Sequence, residues 1–429
     1  RSRQHTMSTM HAGFRPSASM PALILGWITF ARAAALDAFI DFKRTYGRAY
    51  AEGSQEHRLR EELFRARAAE VEAHNAGDSS YSLAINHLSD RTEDELRMLR
   101  GFRPQRAAAR QDRSSFLELG ANGSRSCADH QDSCLGTQEC CDGFVCGSVG
   151  ACEVIQSPLP HRVEWREHLM APEDQGFCGS CWAFAAAGAL DTLYAKQLGR
   201  KMALSPQELL SCTPNPMACG GDGGCRGATP ALAFKYIVSR QSTGAMKPLS
   251  VQEYTARADP CEEARSFGAS FLQPRSPIGS IGLRGWRELP VNDAQAMKVA
   301  LASVGSMAAS IVGEDLHSYG SGVFSGCKSW IVDHAVLITG YGHTAYKDSR
   351  LPYWNIRNSW GPQWGENGYI RLKREENPND EPCGIDDDPA KGVACKDEYG
   401  KYPAEQRVCG HCAILTSTAY PVGLFVPKA

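Results

Sequence analysis

Two cysteines three residues apart, Cys178 and Cys181, stand in "QGFCGSCWAF" (175–184) at the mouth of an apolar, alanine-rich run. Such a pair is a redox couple, half of a metal site, or a structural cysteine beside a nucleophilic one. A cysteine nucleophile must be a thiolate, and a helix N-terminus with an imidazolium partner lowers a thiol pKa from ~8.5 to as little as ~3.5. Gly179-Ser180 offers the turn, and Trp182-Ala183-Phe184 opens a buried helix. The imidazole has to come from elsewhere in the chain. His334 in "VDHAVLITGYG" sits at the head of an apolar strand, and Asn358 in "NSWGPQWGENGY" follows it. An asparagine carbonyl can orient the ring nitrogen that does not face the sulfur.

The elements that must hold these residues are readable from the pattern. A helix is expected from Cys181, and "LSPQELLSC" (204–212) opens another, with Ser205 as cap and Pro206 at the first position. After residue 300 the pattern turns to short strands, "AVLITGYG" and "YWNIRNSW", separated by Gly-rich turns. Helices first and strands later predict an α+β domain of two lobes over 157–429. Upstream, 36–103 reads as helical and charged. Glu56, Arg60, Phe64, Arg67, Val71 and Asn75 recur every three or four residues, which lines side chains along one helical face. "YSLAINHLSDRTEDEL" (81–96) begins with strand-like alternation and ends in a helix capped by Asp90 or Thr92.

Hydrophobic residues make up 42% and charged residues 22% of the 429, the balance of a folded multi-part chain. The formal net charge of −2 gives no field that would gather nucleic acid, and none is expected as a partner. Seventeen cysteines point to an oxidising compartment, and the odd count leaves at least one thiol without an intrachain partner. "PALILGWITF" (21–30) is short for a membrane span and ends in small residues, so 1–35 reads as a secretory signal cut near Ala33 to Ala35. No later stretch is apolar for long enough to span a membrane. Residues 104–126 read as an exposed, arginine-rich linker carrying a glycosylation sequon at Asn122.

Residues 127–152 carry Cys127, Cys134, the pair Cys140 and Cys141, Cys146 and Cys152. A 26-residue segment cannot bury a core, so disulfides must hold it, and spacing leaves fifteen pairings open. A zinc module is the weaker reading, because no histidine sits at ligand spacing; no metal and no cofactor are expected.

"QGFCGSCWAF", "DHAVLITGYG" and "RNSWGPQWGENGYI" closely resemble the papain and cathepsin L-like cysteine peptidases, over roughly 157–422 and in family order. Both the Cys-to-His and Cys-to-Asn intervals exceed the usual ~130–150 residues, which implies insertions. The resemblance implies a two-lobe fold, helical on one side and β-barrel-like on the other. It makes Cys181 the nucleophile, His334 the proton carrier, Asn358 its holder, and Trp360 the shield over that contact. Gln175 would donate to the oxyanion with the Cys181 N–H. Cys178 would pair with Cys225, Cys212 with Cys261, and Cys327 with Cys412. Two bridges among Cys219, Cys383, Cys395 and Cys409 would then leave Cys181 alone unpaired. The upstream helix resembles the propeptide helix of cathepsin L-like zymogens, with Arg67 and Val71 as departures. "AINHLSD" resembles the second propeptide motif, with Ala84 and Leu88 departing from it. The implied prosegment lies in the cleft and inhibits the enzyme until cut away. The 127–152 pattern resembles the knottins, which implies Cys127–Cys141, Cys134–Cys146 and Cys140–Cys152.

The same resemblance places Gly227 and Ala228 on the substrate wall, Thr229 and Pro230 along the pocket for the second residue before the scissile bond, Ser417 at its base, and Val332 and Asp333 on the facing wall. A small uncharged floor predicts apolar or aromatic side chains there. No histidine pair follows Cys225 where an occluding loop would lie, which favours an endopeptidase. The expected product is a monomeric, secretory-route peptidase, lysosomal, vacuolar or extracellular, with peptide substrates and its own propeptide as inhibitor. Two rivals stand beside it: a retired scaffold acting as a secreted binding or inhibitor protein through the knot, and a thiol–disulfide oxidoreductase using Cys178 and Cys181. The latter needs a βαβ setting that the sequence does not show.

Overall fold

The computed structural model describes residues 37–101, 140, 144–146, 151–155, 158–240, 246–261, 280–347 and 349–426. The expected signal segment, the linker with Asn122, and Cys127, Cys134 and Cys141 lie outside them.

The chain forms two compact units, divided after Arg65. In the first, helix α1 covers 37–45 and helix α2 (Gln55–Asn75) begins behind Ser54, whose hydroxyl accepts from the His57 N–H at 3.0 Å. An aromatic cluster holds this unit. The Phe39 and Phe42 rings lie 5.4 and 4.8 Å from Phe64, and His57 stands edge-on to Phe39. Arg60 of the expected face donates to Glu56 one turn earlier at 2.7 Å.

In the second unit, the end of α2 fixes the segment that follows. Asn75 exchanges two 2.9 Å hydrogen bonds with the Leu83 backbone, and Arg67 donates to the Leu88 carbonyl at 2.9 Å. Strand β1 (Tyr81–Leu83) and helix α3 (Glu93–Met98) come next. Of the two cap candidates, Thr92 is the cap. Its hydroxyl accepts from the Glu95 N–H while the Glu95 carboxylate accepts from the Thr92 N–H, a reciprocal capping box.

A short hairpin of β2 (Phe144–Cys146) and β3 (Cys152–Val154) contains the Cys140–Cys152 disulfide, and Cys146 is also disulfide-bonded. After β4 (Val163–Glu164) come three helices: α4 (Cys181–Leu198), α5 (Pro206–Cys212) and α6 (Pro230–Ser239). Helix α4 is buried from Cys181 through Ala195, so small alanines on most of its sides let other elements pack close.

Strand β5 (Gly282–Glu288), helix α7 (Ala294–Ser303) and strands β6 (Met307–Ile311), β7 (Tyr319–Phe324), β8 (His334–Tyr346), β9 (Ser349–Arg357), β10 (Tyr369–Lys373) and β13 (Thr418–Phe425) build the strand lobe. Their order is β1-β7-β10-β9-β8-β6-β13-β5, with β4 added beside β8. The pairing is open rather than closed into a barrel. Strands β11 (Cys383–Asp386) and β12 (Gln406–Cys409) form a separate ribbon tied by Cys383–Cys409.

Two cores meet across β8, and its alternation shows how. Val336 and Ile338 point into a core with Trp354, Trp360 and Trp364, whereas Ala335 and Leu337 point into the core built on α4. The period-2 geometry of one strand therefore serves both lobes, and His334 begins that strand.

Candidate active site

Helix α4 begins at Cys181, with Ser180 as its N-cap residue, so the sulfur sits where the first orphan N–H groups and the helix dipole favour a negative charge. The Ser180 hydroxyl is within 2.6 Å of the Tyr254 hydroxyl, which donates to the Gln175 carbonyl at 2.8 Å. Cys181 is buried and is the free cysteine among the described residues. Its neighbour in the motif is not available for redox chemistry, because Cys178 is bonded to Cys225.

His334 is 1% exposed, and its Nε2–H donates to Asn358 Oδ1 at 2.8 Å. That Oδ1 also accepts the Ser359 N–H at 2.8 Å, which fixes the amide orientation and hence the imidazole tautomer. The remaining nitrogen, Nδ1, is buried without a hydrogen-bond partner and is the one left to act as a base. The Trp360 ring stacks 4.8 Å from His334 and keeps water from this contact. His317 stacks on the same indole at 5.2 Å.

Gln175 is fully buried. Its Nε2 donates to the Cys178 and Leu99 carbonyls, each at 2.8 Å, and its Oε1 accepts from the Ser359 hydroxyl. A side chain with both ends anchored is preorganised as a donor.

Burial holds this pair of titratable groups neutral. It pushes the Cys181 thiol up to about 12, against the lowering influence of nearby backbone N–H groups. It lowers His334 to about 4, against the hydrogen bond to Asn358. Burial also raises Asp333 to about 6, with Arg100 pulling the other way.

Cys181, His334, Gly227, Ala228 and Asp333 line one cavity. The segment after α3 occupies it. Arg100 and Gly101 line the same space, and a Cβ on Gly179 would come within 2.5 Å of the Gly101 Cα. The other four expected wall residues have structural places of their own. Thr229 and Pro230 are used as the cap and first residue of α6, Val332 is fully buried, and Ser417 accepts the Ser310 N–H through its carbonyl.

The insertion between Cys383 and Cys412, legible in the sequence as able to reshape the pocket, supplies another wall whose residues were not singled out. Lys391, Gly392 and Val393, from the insertion between β11 and β12, line the cavity, and the Ala394 carbonyl accepts the Gly220 N–H at 3.1 Å. Cys219–Cys395 ties this strap to the helical lobe. The unassigned cysteines were the available signal, although spacing alone did not say which of them pair. Cys212–Cys261 and Cys327–Cys412 complete the bridges among the described residues of the two lobes.

Comparison with known proteins gives two family matches. The papain family cysteine protease profile matches residues 159–393, and the cathepsin propeptide inhibitor domain matches 39–96. Vignain of Vigna mungo is 30% identical over 326 residues, covering 75% of this chain and 76% of its own. A cathepsin L-like proteinase of Phaedon cochleariae is 28% identical over 82% of this chain and 91% of its own. Among solved structures, digestive procathepsin L 3 of Tenebrio molitor superposes with a TM-score of 0.59 at 25% identity, covering 90% of this chain and 99% of its own. A recombinant stem bromelain precursor gives a TM-score of 0.62 at 22% identity, a likeness of fold, over 91% of this chain and 99% of its own.

Proposed function

The chain belongs to the papain family of cysteine proteases and is a zymogen of that family with its own propeptide inhibitor domain, and on that premise we propose that Cys181, His334, Asn358 and Gln175 carry out its peptide-bond hydrolysis. The Cys181 sulfur attacks the scissile carbonyl carbon while its proton passes to His334 Nδ1. The carbonyl π electrons move onto oxygen, where the Gln175 Nε2–H and the Cys181 backbone N–H donate to the oxyanion. His334 returns the proton to the leaving amine as the C–N bond breaks and a thioester forms. Water, deprotonated by His334, then releases the acid and restores the thiol. Asn358 holds the imidazole for both transfers, and Trp360 shields that hydrogen bond.

The observation that carries this reading is the Nε2–H bond from His334 to Asn358, because it leaves Nδ1 as the basic nitrogen in the cavity that His334 shares with a free thiol on the first residue of a helix. The Cys178–Cys225 bond weighs against the redox rival. The intact set of four weighs against the retired scaffold.

Residues 36–103 act as the propeptide, 104–126 as the linker to be cut, 127–152 as the cystine knot, and 157–429 as the peptidase. Gly227 and Ala228 form the wall for substrate residues before the scissile bond, Thr229 and Pro230 line the pocket for the second of them, Ser417 stands at its base, and Val332 lies on the facing wall. The enzyme works as a monomer on the secretory route, in an acidic compartment or outside the cell, a setting the disulfides favour. No helix among the described residues is long and apolar enough to cross a membrane.

The test is a thiol-reactive peptidyl epoxide applied before and after mild acid treatment, with the label located by peptide mass. Label on Cys181 that appears only as the residues upstream of about 157 are lost is the expected result. A folded, fully processed protein that takes no label would sink the reading in favour of a retired scaffold. Label on Cys178 after mild reduction would favour the redox rival.

A further inference from the structure

Arg100 is an unusual occupant for a catalytic cleft. Its guanidinium is 3% exposed and lies between two carboxylates, 2.8 Å from Glu93 Oε1 and 3.4 Å from Asp333 Oδ2. Glu93 belongs to the prosegment and departs with it. Asp333 belongs to the cleft and stays. Its other oxygen, Oδ1, accepts the Gly313 N–H at 2.9 Å, which fixes the carboxylate in the wall. Glu314 adds negative potential from the neighbouring turn. Lys391 is the other cation lining this cavity among the described residues, and it is paired with Asp388. Maturation therefore uncovers an anchored, half-enclosed carboxylate with no cation assigned to it.

The geometry says which part of a substrate meets it. Gly101 passes against Gly179 and Gly227, the wall for residues before the scissile bond. The Leu99 carbonyl sits on the oxyanion donor Gln175. Arg100 turns to the opposite wall, where its aliphatic stem approaches Gly313, and a Cβ on Gly313 would meet His334 Cβ and Arg100 Cδ together. His334 must hand its proton to the leaving amine, so the residue after the scissile bond lies alongside His334, Gly313 and Asp333.

We propose that Asp333 is a specificity-determining residue that selects peptides with arginine or lysine directly after the scissile bond, the position that Arg100 fills in the zymogen. This rests on the protease reading of the same site and adds the substrate's leaving-group side to it. A charge-assisted contact to a fixed carboxylate favours the basic substrate by about five- to tenfold over a neutral one of similar length.

The test uses enzyme matured from the full zymogen and four internally quenched peptides identical except for Arg, Lys, Gln or Glu after the cut, with the cut verified by mass. The expected kcat/KM order places Arg and Lys above Gln and Glu last, and Asp333→Asn collapses the Arg-to-Gln ratio to about unity. A flat order in the unmodified enzyme, or a ratio that Asp333→Asn leaves unchanged, overturns the inference. Should Asp333→Asn fail to mature, the four-peptide order alone decides. Epoxide label on Cys181 with a flat order defeats this inference only, whereas no label and no cleavage defeats the protease reading itself.

Discussion

The Gln175 side-chain nitrogen donates to the Leu99 carbonyl at 2.8 Å. The donor that the hydrolytic mechanism needs for an oxyanion is thus already holding a neutral backbone carbonyl of the prosegment, next to a thiol that burial keeps protonated. On the proposed mechanism, inhibition here uses the transition-state machinery on a ground-state group.

Replacing Gln175 with Ala should lower kcat by roughly 10²–10³ in the mature enzyme, the typical loss of one oxyanion donor. KM should change much less. Active-site titration with the epoxide corrects for misfolded protein; a loss under threefold would remove Gln175 from the mechanism.

Arg100→Ala should loosen the zymogen. The change leaves Glu93 without that partner and Asp333 with its backbone donor alone, a loss of about 1–3 kcal/mol, or roughly ten- to a hundredfold more open form. The readout is the rate of Cys181 alkylation in unprocessed protein. An unchanged rate would mean that the ion pairs contribute nothing to latency.

Acid should destabilise the closed zymogen. Burial lowers His334 to about 4 and His317 well below its usual value, with Arg100 and Arg67 adding to the effect on His317. Both rings stay neutral in the closed form but protonate near 6.5 once exposed. Stability is therefore full above that value and is lost as pH falls from 6.5 toward 4. Asp333 acts in the opposite sense: raised to about 6, it binds its proton more readily in the closed form, so it returns some stability between 6 and 3.8. Two imidazoles outweigh one carboxyl. Opening, read as amide hydrogen exchange of residues 81–101 in the Cys181→Ala zymogen, should quicken across this window, and His317→Asn should flatten the rise; exchange that slows toward pH 4 would contradict the account.

The strap should be a stability element. Cys219 and Cys395 are 176 residues apart in sequence, and their bond closes the insertion onto the helical lobe. Replacing both with Ser should cost about 2–4 kcal/mol, a drop on the order of 5–10 °C in Tm. Calorimetry at neutral pH measures it. The same melting point would show that the backbone bonds of the strap, Gly220 N–H to the Ala394 carbonyl and Lys396 N–H to the Met217 carbonyl, suffice.

Much of this architecture was written in local pattern. The three- and four-residue recurrence from Glu56 to Asn75 falls within one helix, because that spacing depends only on helical pitch. Thr92 rather than Asp90 became the cap because Glu95 stands three residues after it. Cys181, His334 and Asn358 were legible because each opens or ends an apolar element. Arg100 was not, since its partner Asp333 is brought to it by the docking of α3 and no local rule links them. The wall of Lys391, Gly392 and Val393 was hidden for the same reason. Thr229 and Pro230 also have the types of a helix start, and the fold uses them so.

The division of β8 between two cores has one further consequence. Cys181 is rooted in one core, Trp360 lies in the other, and the strand that His334 begins alternates its side chains between them. A chain with only one core formed therefore lacks part of what fixes the cysteine and the imidazole together. On the proposed mechanism, hydrolysis then requires both cores to be complete, a coincidence signal for finished folding.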